Sequence, residues 1–168
     1  MRDGSFADRV LKRSRLCLLF TQALCARDPW WTLEEALRGG VDLVQWREKL
    51  GTPAQLERTL AICAPSGVPV IVNDHVQLAC SSAAAGAHVG QDDMPAATAR
   101  KLLGTKWLGI STHDEAQVQA AIAAGADYLG LGPCFATATK GYEVGLPRET
   151  LRAALALEIG RASCRERV

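Results

Sequence analysis

Short apolar runs alternate along this chain with longer stretches in which Ala and Leu recur at helical spacing. The runs are Leu16–Phe20, Val41–Trp46, Val68–Val72, Gly86–Val89, Trp107–Ile110 and Tyr128–Leu131. The intervening and following stretches predict helices near Thr32–Arg38, Pro53–Ala64, His75–Ala85, Pro95–Leu103, Asp114–Ala124 and Pro147–Leu157. Start signals support them. Thr32 precedes Glu34–Glu35, and Thr52-Pro53 places a capping hydroxyl before a proline at the first helical position. Glycines at Gly39-Gly40, Gly67, Gly86, Gly104 and Gly125 fit left-handed helix ends. The phrases RGGVDLVQ and AAGADYLG repeat one another: helix end, Gly, small residue, Asp, strand. AAGAHVG is a third variant, with His88 in the Asp position.

Runs that are apolar on both faces, alternating with helices, predict a parallel sheet covered by helices. An open doubly wound sheet with a dinucleotide site would need GxGxxG after its first strand. Here that strand is followed by TQALCARDPWW, which has no glycine. The reading is therefore α/β, of the (β/α)8 TIM-barrel type, with about six β/α units in 168 residues. A closed barrel needs eight units and about 250 residues. Residues 1–158 are expected to be this partial barrel. The Arg-rich stretch GRASCRERV has no apolar stripe, so residues 159–168 are expected to be a non-native or disordered tail. A six-unit sheet with open first and last edges is expected to be aggregation-prone or only partly folded, and nearly inactive. A soluble monomer with a cooperative melt would refute that.

Composition narrows the function. Hydrophobic residues are 48%, charged residues 22% and the net charge +1, so no basic field addresses nucleic acid. The apolar stretches are too short to span a bilayer, and no targeting segment is evident, so the cytoplasm is expected. None of the six cysteines has zinc-site spacing, and reduced buried thiols are expected.

The chemistry-bearing residues follow strand ends. Gln45, Arg47 and Lys49 alternate with Trp46 and Glu48, which predicts an amide and two cations on one face. Such a set can clamp an anion, Arg by forking onto phosphate oxygens and Lys as a point charge. It also fits a solvated strand end. Asn73-Asp74 and Gln91-Asp92-Asp93 follow consecutive runs and so end on one rim. Mg²⁺ takes one or two carboxylates plus phosphate oxygens and water, which Asp74 and Asp93 could supply. Capping competes, by Asp74 for the helix near His75 and by Asp93 for the one at Pro95. Ser111-Thr112-His113 offers hydroxyls or a cap. Thr137, Thr139 and Lys140 offer two hydroxyls and a cation on a glycine-led loop that is not a P-loop. His88 reads as a core histidine, and no nucleophile–base pair is found.

In this order, the phrases VDLVQWREK, VNDHVQLA, GAHVGQDDMP, GISTH and GADYLGLGPCFATATK resemble the thiamine phosphate synthase family, from Val41 to Pro147. The resemblance implies a (β/α)8 barrel. It also implies a Mg²⁺-dependent transferase that joins a hydroxymethylpyrimidine diphosphate to a thiazole phosphate and releases pyrophosphate. By resemblance, Gln45, Arg47, Lys49 and Asn73 hold the pyrimidine diphosphate, and Asp74 and Asp93 bind Mg²⁺. Ser111, Thr137, Thr139 and Lys140 contact the diphosphate, with Arg47, Ser111 and Lys140 in catalytic roles. The family's thiazole-phosphate site, on a glycine-rich turn after the seventh strand and a small-residue segment after the eighth, is not visible. Ala136 and Ala138 stand where the family often has Pro, and LCLLFTQ lacks its usual Tyr and Asp. Alternatives are a thiazole tautomerase-like relative and a non-catalytic phosphate-ligand-binding regulator. The Asp74/Asp93 pair and the QxRxK phrase favour the synthase.

Overall fold

A computed structural model of the chain describes residues 10–11, 13–135, 145–156 and 162–164. The strands are β1 (Cys17–Phe20), β2 (Leu43–Trp46), β3 (Val70–Asn73), β4 (Gly86–Val89), β5 (Trp107–Thr112), β6 (Tyr128–Leu131) and β7 (Ala162–Cys164). The helices are α1 (Pro29–Arg38), α2 (Pro53–Cys63), α3 (Val76–Ser81), α4 (Ala96–Leu103), α5 (Glu115–Ala123) and α6 (Arg148–Ala156). No helix among the described residues is long and apolar enough to cross a membrane.

The chain divides into two compact units. In the unit built on residues 13–88 and 102–107, β1 pairs with β2, β2 with β3 and β3 with β4, all parallel. The registers include Leu19↔Gln45, Gln45↔Ile71 and Asn73↔His88. Every residue of β2, β3 and β4 is buried, as expected for parallel strands covered on both faces. Leu33 of α1 and Leu56 of α2 complete this core with Phe20, Val44, Trp46, Ile71 and Val72. In the other unit β5 pairs with β6 in parallel, and Leu108, Ile110, Val118 and Leu129 are buried.

Local chemistry moved several predicted boundaries. The α1 helix begins at Pro29, because Asp28 Oδ1 accepts the Trp31 N–H at 2.9 Å and caps it. Thr32, the predicted cap, instead donates its hydroxyl to the Asp28 carbonyl. The predicted Thr52 cap on α2 forms a full capping box with Gln55. The predicted helix His75–Ala85 shrinks to the six residues of α3. Its end is closed by Lys106, whose Nζ donates to the carbonyls of Ala79, Ser82 and Ala84 at 2.6, 2.7 and 3.0 Å. Of the predicted left-handed glycines, Gly40, Gly67, Gly104 and Gly125 have positive φ, whereas Gly39 has φ −72. Gly86 is the first residue of β4, and its role is steric. A Cβ there would lie 2.0 Å from the Trp107 carbonyl oxygen.

The repeated Asp has a structural use. Asp42 Oδ2 accepts the Arg15 and Leu16 N–H groups, and Asp127 Oδ2 accepts the Leu108 N–H and Arg100 Nη1. Each ties the start of the preceding strand to its own. Residues 162–164, expected to lie outside the fold, form β7 and pair in parallel with β6, Leu129↔Ala162. Backbone pairing needs no apolar stripe, which is why composition did not reveal it.

The five cysteines whose side chains are described are free, but Cys17 and Cys80 are exposed and only Cys63 is fully buried. Burial pushes the Cys63 thiol up to about 11. The folded chain therefore holds this proton after the unfolded chain has released it. Below pH 9 the group is neutral in both states; between about pH 9 and 11 it erodes stability as pH rises. Alkylation at pH 8 followed by peptide mass mapping is expected to label Cys80 and spare Cys63.

Candidate functional site

The unit holding β1 to β4 carries an amide pair and two cations at the carboxyl ends of its strands. Gln45 on β2 and Asn73 on β3 are both buried, and Gln45 Nε2 donates to Asn73 Oδ1 at 2.6 Å. This bond uses one of Gln45's two amide hydrogens and one lone pair of Asn73, so both retain polar capacity. Strand β2 ends at Trp46, so strand alternation does not carry the predicted shared face on to Arg47 and Lys49. They stand on the loop that follows. Among the described residues, neither the Arg47 guanidinium nor the Lys49 ammonium has a hydrogen-bond or ion-pair partner.

That loop is anchored from two sides. Toward β1, Arg47 N donates to the Phe20 carbonyl at 2.8 Å and Thr21 Oγ1 donates to the Arg47 carbonyl at 3.0 Å. Gln22 N donates to Glu48 Oε1 at 2.5 Å. Toward β3, His75 Nε2 lies 2.9 Å from the Glu48 carbonyl oxygen. The loop also folds over Trp46: a Cβ on Gly51 would come within 2.2 Å of that ring.

Asp74 follows β3 in a backbone conformation rare for a residue with a side chain. Its φ is +65. The His75 N–H donates to the Asn73 carbonyl and the Val76 N–H to the Asp74 carbonyl, which makes two consecutive three-residue turns. The Asp74 N–H donates to the His88 carbonyl at 2.8 Å. Left-handed non-glycine residues cost about 1–3 kcal/mol and concentrate at functional sites. Asp74 does not cap α3: the N-cap is His75, with no side-chain capping bond. The predicted core histidine, His88, is indeed buried.

In the other unit, Asp93 Oδ2 accepts the Gly90 N–H at 2.6 Å and closes the turn after β4. Asp93 is exposed, and a carboxylate holding one N–H keeps most of its acceptor capacity. Gln91 Nε2 donates to the Ser111 carbonyl at 2.6 Å. Thr112 is buried and donates to the Gly130 carbonyl, which takes its hydroxyl out of reach of a ligand. His113 Nδ1 lies 2.5 Å from the Gly132 carbonyl oxygen. The predicted Ser/Thr cap of α5 is Asp114, whose Oδ1 accepts the Gln117 N–H. Ser111 is thus not the cap of this helix. Thr137, Thr139 and Lys140 lie outside the described residues.

No group of three or more His, Cys, Asp or Glu side chains suited to a metal occurs among the described residues. Zinc-type chelation is therefore not what they offer. Asp74 and Asp93 each carry a carboxylate, the oxygen-donor type that Mg²⁺ takes. The sequence reading missed His75, Glu48, Thr21 and Gln22 as parts of the site. The polar residues directly after β1 were a usable signal. The Glu48 contacts depend on separations of 26 and 27 residues and had none.

Comparison with known proteins bears on the family and the fold. The chain is 49% identical over 112 residues to a thiamine-phosphate synthase of Chloroflexus aurantiacus, covering 64% of this chain and 52% of that protein. It is 46% identical over 123 residues to a thiamine-phosphate synthase of Bacillus cereus, covering 69% and 56%. The chain thus spans about half the length of the curated relatives it matches. Its fold is similar to that of a thiamine phosphate pyrophosphorylase from Pyrococcus furiosus, with a TM-score of 0.77 at 24% identity over 89% of this chain and 74% of that one. The fold is of the TIM-barrel type expected, with about six β/α units. The thiamine monophosphate synthase family model matches residues 16–158, and the chain belongs to that family.

Proposed function

We propose that this chain binds 4-amino-5-hydroxymethyl-2-methylpyrimidine diphosphate and transfers its pyrimidine to 4-methyl-5-(2-phosphooxyethyl)thiazole. The products are thiamine phosphate and pyrophosphate. The observation that carries the reading is the pair of cations, Arg47 and Lys49, without side-chain partners among the described residues, on an anchored loop beside the buried Gln45–Asn73 amide pair. Two such cations suit a dianionic or trianionic ligand. The amides suit a nitrogen heterocycle, which presents donors and acceptors in one plane.

In the reaction, the bond between the pyrimidine's exocyclic carbon and the diphosphate oxygen breaks, and its electrons leave with pyrophosphate. The thiazole nitrogen lone pair then forms the new carbon–nitrogen bond. No protein nucleophile is needed. Arg47 and Lys49 stabilise charge that grows on the leaving group, an effect stronger in the transition state than in the bound substrate. Gln45 and Asn73 orient the ring. Ser111, Thr137, Thr139 and Lys140 are assigned to the diphosphate by family resemblance. Asp74 and Asp93 would hold Mg²⁺, which when bound neutralises diphosphate charge. We place the activity in the cytoplasm.

The test is to incubate the chain with both substrates and Mg²⁺ and follow pyrophosphate and thiamine phosphate. Both are expected to form, and EDTA should stop them; turnover would also refute the expectation, drawn from open sheet edges, of a nearly inactive chain. Binding of the pyrimidine diphosphate with no pyrophosphate released would overturn the transferase and leave a ligand-binding protein.

A further inference from the structure

We infer that His75 is a positioning residue that latches the Arg47–Lys49 loop, and that this latch sets the affinity for the diphosphate group. The inference rests on the transferase reading above and adds to it a residue with no assigned role. A carbonyl oxygen can only accept, so His75 Nε2, 2.9 Å from the Glu48 carbonyl, carries the hydrogen and donates it. Glu48 stands between Arg47 and Lys49. Its own carboxylate faces away, toward the Gln22 N–H, so the residue is gripped at both ends. The His75 ring also packs against Trp46, with centroids 6.5 Å apart and planes tilted by 53°. Trp46 is fully buried, and the loop returns over it at Gly51.

His75 itself is set by the strained turn at Asp74, since its N–H donates to the Asn73 carbonyl at 2.8 Å. One short segment, Asn73 to His75, therefore does two jobs. Asn73 holds Gln45, and His75 fixes the height of the cation loop. Loop anchoring matters because two long cationic side chains gain little from an anion if the backbone beneath them wanders. A packing role for the ring and a donor role for Nε2 predict different variants. Phe keeps a ring against Trp46 and lacks the donor. Gln places an amide N–H near the position of Nε2 and lacks the ring.

The experiment measures binding of inorganic pyrophosphate with Mg²⁺ by calorimetry and amide hydrogen exchange of residues 47–51 without ligand. It uses the parent chain, His75→Phe and His75→Gln. His75→Phe is expected to speed exchange in the loop and weaken pyrophosphate about three- to tenfold, the size of one neutral hydrogen bond. His75→Gln is expected to restore most of both. With substrates, the loss should fall on kcat as well as on KM for the pyrimidine diphosphate, because the cations act most strongly in the transition state. Unchanged loop exchange in His75→Phe would overturn the latch, as would losses in His75→Gln that His75→Phe does not show, which would mark a packing role. If the parent chain binds no pyrophosphate while loop exchange still responds to His75→Phe, the diphosphate reading fails and the proposed purpose of the latch fails with it.

Discussion

Asp74→Asn is expected to leave the chain folded and, on the transferase and Mg²⁺ proposal, to lower thiamine phosphate formation by about 10²–10³-fold or more, the range seen when one preorganised electrostatic contact is lost. Asn is the informative replacement because Asn, like Asp, tolerates the left-handed region that φ +65 requires. It keeps the shape and one oxygen and removes the charge. Asp93→Ala is expected to abolish turnover too, but it also takes the acceptor from the Gly90 N–H. Asp93→Asn keeps that bond and isolates the charge. The measurement is pyrophosphate release against Mg²⁺ concentration, alongside thermal melts. Full activity in Asp74→Asn or Asp93→Asn at saturating Mg²⁺ would remove that residue from the metal assignment.

Gly86→Ala is expected to be among the most destabilising small substitutions in the chain. The added Cβ would fall 2.0, 2.6 and 2.7 Å from the carbonyl oxygen, carbonyl carbon and Cα of Trp107. Those are backbone atoms, and they are held: Trp107 N donates to the Ala85 carbonyl at 2.9 Å. A flexible side chain could swing aside; this strand cannot without losing its pairing. The cost should reach about 3 kcal/mol, the upper part of the overpacking range. For a chain of this length that is roughly 6–12 °C in melting temperature. Gly67→Ala is the control, with nothing within 4 Å of its Cβ but φ +67. It should cost only about 1–2 kcal/mol, from the left-handed backbone alone. A melt of Gly86→Ala within about 2 °C of the parent would show that the strand yields.

Both predictions concern residues the sequence marked, and one of them, Gly86, it misread. Gly86 looked like another helix-ending glycine because it follows Ala-rich sequence and precedes a strand, as the others do. Close approach of a chain segment 21 residues away has no local signature. Asp74 was weighed as a helix cap because Asp before a helix commonly is one. The turn at Asn73–His75 starts the helix one residue later and leaves Asp74 off it. The Asp of VDLVQ and ADYLG was seen as a repeat, while its use as an acceptor for a neighbouring strand's N–H groups required the fold.

Periodicity by itself determined the alternation of strands and helices, the parallel class and the order of the rim motifs. Those depend on which face of a local element is apolar, and local pattern is what a sequence displays. It also named Gln45, Arg47, Lys49, Asn73, Asp74, Asp93 and Ser111 as rim residues, because chemistry clusters where apolar runs stop. Only the tertiary structure decided how the first five are held. The Gln45–Asn73 bond spans 28 residues, the His75–Glu48 bond 27 and the Gln22–Glu48 bond 26. Each joins the ends of neighbouring parallel strands, which register brings together only after whole strand–helix units have folded.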